Sequence, residues 1–158
     1  MTSENSLFPA DGLPRISVVI PVAPGGSVKT VLDSLANVEY PKEKVEIIVV
    51  EGKQPSFQRN EAVKQASGDI LYFLDSDSEA DIDLFRLVAR AFNSYKDKNV
   101  AVVGGPSEIL ESDSLLQRCF GYVLSSYFAV ASVRCRYRSI NRQPCLASER
   151  MLILANMA

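Results

Sequence analysis

Histidine is absent from this sequence of 158 residues. Its absence removes the commonest general base and the commonest zinc ligand, so any proton transfer must use carboxylates, lysine, tyrosine or cysteine. Cysteine is scarce as well, with Cys119, Cys135 and Cys145 scattered along the chain. An odd number of cysteines without metal-like spacing argues against a disulfide framework and predicts a reducing, cytoplasmic compartment.

A large excess of one charge and a long apolar run are also missing. The formal net charge of −2 gives no basic footprint, which argues against a nucleic-acid partner. The longest apolar stretch, residues 119–133, has 15 residues and is shorter than the roughly 20 needed to cross a bilayer. Residues 1–14 lack the features of a signal peptide and are predicted to be a flexible leader, with the folded domain in residues 15–158.

Two glycine-rich nucleotide-binding motifs are absent. No G-x-G-x-x-G follows the first predicted strand, which argues against a dinucleotide-binding domain. No G-x-x-x-x-G-K-[ST] occurs either, which excludes a P-loop NTPase.

Apolar runs of strand length alternate with segments of helical periodicity. The predicted strands are residues 16–20, 45–50, 70–74, 100–103 and 151–154, and the predicted helices are residues 28–38, 56–67, 81–95 and 112–133. Because the strands are continuous apolar runs, we expect burial on both faces, as in a mostly parallel sheet flanked by helices. Ligands of such sheets bind at the carboxyl ends of the strands.

Two carboxylates follow the strand of residues 70–74. Asp75 and Asp77 are spaced i, i+2, which in a strand would direct both side chains to one face. Two carboxylates so placed favour a divalent cation that also carries substrate phosphates. The alternative is a polar loop in which Asp and Ser cap the next helix.

Four segments of the first half carry a resemblance when they are taken in order. They are Pro14-Arg-Ile-Ser-Val-Val-Ile-Pro21, Tyr40-Pro41 with the strand of residues 45–50, residues 59–69 beginning Arg59-Asn60, and Leu74-Asp75-Ser76-Asp77. In this order they resemble the family 2 glycosyltransferases, whose D-x-D motif matches Asp75 and Asp77. The segment 152–158 resembles the family strand that precedes the acceptor half of the domain.

The resemblance implies a GT-A fold, the Rossmann-like fold of nucleotide-diphospho-sugar transferases, and metal-dependent transfer of a sugar to an acceptor. It implies that Asp75 and Asp77 hold Mn²⁺ or Mg²⁺. The nucleotide-sugar site would contain Pro21, Val22, Ala23, Glu51, Arg59, Asp75 and Ser76. A UDP-sugar is favoured as donor over a GDP-sugar, and cell-envelope polysaccharide synthesis is the expected setting.

The sequence departs from the family pattern in three places. Glu51 stands where the family usually has Asp, and only residues 52–58 separate it from Arg59, where the family inserts a helix and a strand. The family's catalytic base lies beyond the segment that matches residues 151–157, so we expect it beyond Ala158. The chain is therefore interpreted as the donor-binding part of a longer enzyme, incomplete at its C-terminus, that binds donor better than it catalyses.

Two other functions remain open from the residues alone. A nucleotidyltransferase also combines an α/β sheet with paired acids, and Pro24-Gly25-Gly26-Ser27 faintly resembles its glycine-rich loop. A non-catalytic nucleotide-binding α/β module is the second alternative.

The predicted helix of residues 112–133 is apolar around most of its circumference. Such a helix is either buried or in contact with lipid. Burial against a further part of the protein is one interpretation. The other is contact of residues 112–142 with the inner face of the cell membrane near a lipid-linked acceptor, since Arg134, Arg136, Arg138 and Arg142 follow the helix.

Overall fold

The computed structural model describes residues 13–106, 108–109, 113–130 and 137, and the backbone of residues 156–157. The strands are β1 (Ile16–Val22), β2 (Val45–Glu51), β3 (Ile70–Leu74) and β4 (Asn156–Met157). The α-helices are α1 (Lys29–Asn37), α2 (Pro55–Val63), α3 (Leu84–Ser94), α4 (Leu115–Ser125) and α5 (Tyr127–Val130), with short 3₁₀ helices at Lys42–Lys44 and Lys96–Lys98.

The strands form one sheet in the order β2-β1-β3-β4. β1 pairs in parallel with β2 from Ile16 opposite Val45 to Val22 opposite Glu51. β1 also pairs in parallel with β3, and β4 pairs antiparallel with β3. The predicted mostly parallel sheet is therefore confirmed, and the carboxyl ends of β1, β2 and β3 meet at one edge.

The core lies on the face of the sheet covered by α1 and α3. Its centre is Phe85 of α3, whose side chain is 1% exposed. The Phe85 ring makes edge-to-face contacts with Tyr40 and Tyr72, with ring centroids 5.6 and 5.8 Å apart. The Tyr40 hydroxyl donates to the carbonyl oxygen of Pro14 at 2.6 Å, which fixes the chain before β1. This packing holds the start of β1 and the middle of β3 in place.

Several predicted elements have different bounds in the structure. Residues 100–103 do not form the predicted strand and take no place in the described sheet, whose strands are β2, β1, β3 and β4. The predicted helix 112–133 is divided at Ser126, whose backbone is extended and whose neighbour Ser125 donates its hydroxyl to the Tyr122 carbonyl. The predicted strand 151–154 lies outside the described residues.

β1 and β2 also depart from the predicted pattern. β1 does not stop before Pro21 but continues to Val22. β2 was predicted to be buried on both faces, yet Ile47 is 42% exposed and Val49 is 41% exposed. β2 is the edge strand on its side of the described sheet, so no further strand shields the side chains of Ile47 and Val49 from that side. The prediction of two-sided burial is wrong for this strand and right for β1, all of whose residues are buried.

The amino-terminal edge of the sheet is held by the carboxylate of Glu46. The Ser17 hydroxyl donates to Glu46, and so do the backbone N–H and hydroxyl of Ser67 at 3.0 and 3.2 Å. These hydrogen bonds, the one from Ser17 first, hold the pKa of Glu46 below its usual value. Ser17 Oγ in turn accepts from the Gly68 backbone N–H at 2.8 Å. The network joins β1, β2 and the loop before β3.

We expect Glu46→Gln to flatten the acid side of the stability profile. Since folding favours the Glu46 carboxylate, its contribution is full above the unfolded pKa of about 4.3 and is lost as pH falls through the lower folded pKa. Urea unfolding at neutral pH and at about pH 3.5 will show a smaller loss on acidification for Glu46→Gln than for the wild type. The exposed Glu43 provides the control, because Glu43→Gln should keep the wild-type profile. Parallel profiles for the wild type and Glu46→Gln would contradict this prediction.

Candidate functional site

The carboxyl edge of the parallel strands brings three predicted segments together. Val22 at the end of β1 lies opposite Glu51 at the end of β2. Val19 lies opposite Phe73, so Asp75 follows β3 near the level of Pro21. Because β1 lies between β2 and β3, Glu51 and Asp75 are two strand spacings apart, on the order of 10 Å.

A cavity of about 310 Å³ opens at this edge between β1, β2 and the start of α2. Its lining consists of Pro21, Val22, Ala23, Pro24, Gly52, Lys53, Pro55 and Gln58. Pro21, Val22 and Ala23, which were predicted to belong to the nucleotide-sugar site, all line it. The other predicted site residues, Glu51, Arg59, Asp75, Ser76 and Asp77, do not. The cavity is therefore the part of the site next to β2, and the acidic part lies across β1.

Glu51 holds the loop that follows β1. Its Oε1 atom accepts the backbone N–H of Gly25 at 3.3 Å. Gly25 has a φ of 71°, a left-handed conformation that favours glycine, and Gly26 N–H donates to the Ala23 carbonyl at 2.8 Å to close the turn. The carboxylate thus fixes the turn that borders the cavity, and its predicted contact with a nucleotide remains a prediction.

Arg59 pairs with Asp75 across the end of β1. Its Nη2 atom donates to Asp75 Oδ1 at 2.9 Å, with the arginine side chain 15% exposed and that of Asp75 39% exposed. Two other acids near Arg59 in the sequence are engaged elsewhere: Glu61 pairs with Lys64, and Asp69 accepts the Arg15 backbone N–H. α2 therefore delivers one partly buried guanidinium to the carboxylate that follows β3.

The Arg59 side chain keeps unused donor capacity beside this carboxylate. Its Nε atom is buried and has no hydrogen-bond partner among the described residues. A buried donor without a partner costs about 1–3 kcal/mol, so the pair with Asp75 leaves the guanidinium incompletely satisfied. An anion at this edge would satisfy further N–H groups of the same fork.

Asp75 and Asp77 lie in a turn rather than in a strand. β3 ends at Leu74, and the Ser78 N–H donates to the Asp75 carbonyl at 3.1 Å to close a turn that contains Ser76. The alternation expected from strand geometry therefore does not set the directions of the two side chains. Within the part of the chain that the structure describes, no group of three or more His, Cys, Asp or Glu side chains is arranged to hold a metal ion.

Gln58 is a site residue that the sequence analysis missed. Its side chain is 2% exposed, and its Nε2 atom donates to the Val22 carbonyl at 2.8 Å and to the Val50 carbonyl. Gly52 N–H donates to the same Val22 carbonyl at 2.9 Å, and a Cβ atom on Gly52 would lie 3.0 Å from Gln58 Cγ. A glutamine in a polar helical segment gives no signal of burial, since only the docking of α2 on β1 and β2 turns it inward.

Comparison with known proteins gives one family and a set of similar folds. The family model described as Glycosyl transferase family 2 matches residues 27–112, more than half of the chain. No curated protein is similar enough in sequence to count as a match.

Crystal structures of S. aureus TarS 1-349 share the fold. One has a TM-score of 0.53 at 20% identity and covers 63% of this chain and 38% of that chain. A complex of the same fragment with UDP-GlcNAc has a TM-score of 0.51 at 19% identity, covering 63% and 36%. The chain thus spans less than two thirds of the length of these structures, and the likeness concerns the fold alone.

Proposed function

This chain belongs to glycosyl transferase family 2 and has the GT-A-like fold of that family, and we propose that it binds the nucleotide-sugar donor for transfer of a sugar to an acceptor. The observation that carries the proposal is the Arg59–Asp75 pair beside a cavity lined by Pro21, Val22 and Ala23. A mostly apolar cavity suits a flat base, and an arginine with unused N–H groups suits a diphosphate. UDP is the favoured nucleotide, since TarS 1-349 has been crystallised with UDP-GlcNAc.

Lys53 and Gln58 supply the polar groups of the cavity. Gln58 donates its amide N–H groups to the carbonyl oxygens of Val22 and Val50, and these hydrogen bonds hold it in the wall of the cavity. Lys53 is exposed at the rim of the cavity, where an ammonium group would attract the negative charge of a nucleotide. The base would therefore be held by shape and apolar contact.

A divalent metal fits the residues that the site provides. Mg²⁺ and Mn²⁺ take oxygen ligands, and Mg²⁺ is usually held by one or two carboxylates together with substrate phosphates. Asp75 and Asp77 would supply two carboxylates from the turn that follows β3. When bound, the metal would neutralise charge on the departing nucleoside diphosphate. Arg59 would orient the Asp75 carboxylate through Oδ1.

Calorimetric titration of UDP into the chain, with Mn²⁺ or with a chelator, tests this proposal. We expect binding that requires metal and that weakens on the order of tenfold to a hundredfold in Asp75→Asn and Asp77→Asn, because each substitution removes a charged ligand. The exposed Asp97 lies outside the site, so Asp97→Asn should bind like the wild type.

Three outcomes would count against the proposal. Equal UDP binding with metal and with chelator, unchanged in both aspartate variants, would contradict the proposed metal site. Absence of UDP and GDP binding by the folded chain under either condition would remove the donor site. Release of pyrophosphate instead of nucleoside diphosphate during turnover would indicate nucleotidyl transfer.

A further inference from the structure

α4 approaches residue 109 at Gly121, which lies on the small and polar side of the helix. A Cβ atom on Gly121 would lie 2.4 Å from Ile109 Cγ1, so the helix backbone approaches residue 109 closely at this glycine. Gln117, Gly121 and Ser125 are spaced by four residues and lie on the same side of the helix. A helix on a protein core normally turns its apolar side inward. The orientation of α4 is the reverse.

The other side of α4 is apolar and exposed. At 100° per residue, its apolar side chains cover roughly half of the circumference. The exposed fractions are 79% for Leu115, 67% for Leu116, 62% for Phe120, 59% for Tyr122 and 55% for Val123, and α5 continues the patch with Tyr127 at 59% and Phe128 at 99%. Exposed apolar side chains in such a contiguous set mark an interaction surface.

The sequence of α4, α5 and the residues that follow them carries charge of one sign. Residues 114–148 contain five arginines and no lysine, aspartate or glutamate, although the chain as a whole carries a net charge of −2. Arg118 lies on α4 beside the apolar side and is exposed. A helix with arginine at the border of an apolar half rich in leucine and aromatic residues suits a surface that is apolar inside and anionic outside.

We propose that α4 and α5 form a membrane-surface contact that binds an anionic lipid bilayer. A bilayer is chosen as the occupant because a lipid surface offers an apolar layer for Phe120 and Phe128 and negative head groups for the exposed Arg118. No helix among the described residues is long and apolar enough to cross a membrane. In the proposed contact, α4 and α5 would lie in the plane of the interface. This contact is independent of the donor site at the carboxyl edge of the sheet.

Flotation of the 158-residue chain with lipid vesicles tests the contact. The probes are vesicles of phosphatidylcholine with phosphatidylglycerol and vesicles of phosphatidylcholine alone. We expect flotation with the anionic vesicles, weaker flotation at high salt, and a loss of about tenfold or more in partitioning for the double variant Phe120→Ser/Phe128→Ser. Phe57 of α2 is exposed to the same extent as Phe120, 62%, so Phe57→Ser is the matched control and should float like the wild type.

Every other outcome has a defined meaning. A folded monomer that floats with neither vesicle overturns the proposal. If the wild type sediments as a dimer and the double variant as a monomer, the surface binds a second copy of the chain and the proposal is overturned. A melting temperature lowered by the double variant but not by Phe57→Ser, without flotation of the wild type, would assign it to another segment of this chain. Equal flotation of the wild type and both variants would place lipid binding elsewhere and overturn the proposal. UDP titration of the double variant separates this result from the donor site, since its affinity should match that of the wild type.

Discussion

Replacing Phe85 by alanine is expected to lower the free energy of unfolding by about 3–5 kcal/mol. The ring is 1% exposed and makes edge-to-face contacts with Tyr40 and Tyr72. Truncation therefore removes the transfer energy of the ring, leaves a cavity between α3 and the sheet, and deletes two aromatic contacts. Urea unfolding followed by circular dichroism measures the loss.

The same helix offers a control for helix propensity. Leu87 lies two residues further along α3 and is 48% exposed, so Leu87→Ala should cost less than Phe85→Ala. Phe85→Leu keeps most of the volume and provides a variant that remains folded if the alanine variant does not. Equal losses for Phe85→Ala and Leu87→Ala would mean that Phe85 is not the centre of the core.

Replacing Gln58 by glutamate is also expected to have a large effect and to lower the free energy of unfolding by about 3–5 kcal/mol at neutral pH. The amide Nε2 atom donates to the Val22 and Val50 carbonyl oxygens, and a carboxylate in its place would face two acceptors while buried. Gln58→Leu removes the donors without adding charge and should cost less, about 1–3 kcal/mol, because Val22 O still accepts from Gly52 N–H.

The pH dependence distinguishes the charge from the shape of the new side chain. Burial beside carbonyl oxygens would raise the folded pKa of the introduced carboxyl above its unfolded value, so the penalty is present above that unfolded value and falls on acidification. The difference in unfolding free energy between the wild type and Gln58→Glu should therefore shrink towards about pH 4. Gln65 is exposed, so Gln65→Glu should show neither effect. A penalty for Gln58→Glu that does not change with pH would contradict the assigned hydrogen bonds.

The positions of the parallel strands along the chain could be predicted from local pattern. The runs at residues 16–20, 45–50 and 70–74 are mostly apolar, and each became a strand of the sheet with bounds shifted by two residues at most. Residues 100–103 have the same local character and form no strand. A strand also needs a neighbouring strand, because β-strands are stabilised across the sheet. The pairing of β3 with residues 156–157 joins distant parts of the chain, and no local sequence window contains it.

Some features of the candidate site could likewise be predicted from local sequence, and others depended on how distant elements pack. The ends of the apolar runs in the sequence mark the ends of the strands. This places Pro21, Val22, Ala23, Asp75 and Asp77 at strand ends. That Arg59 pairs with Asp75 rather than with Glu61 or Asp69 depends on how α2 docks across β1. Glu61 is two residues away in sequence, but i and i+2 do not face each other on a helix, so its carboxylate pairs with Lys64 instead.

The sequence by itself determined the α/β alternation, the acidic end of β3, the apolar wall of the cavity and the family to which the chain belongs. These depend on local composition and order, which a chain carries before it folds. Only the tertiary structure decided that Gln58 is buried, that Glu51 fixes a turn, that β2 is half exposed and that α4 turns its apolar side outward. Each of these depends on which surfaces meet, and burial is a property of the packed chain rather than of a residue or its neighbours in sequence.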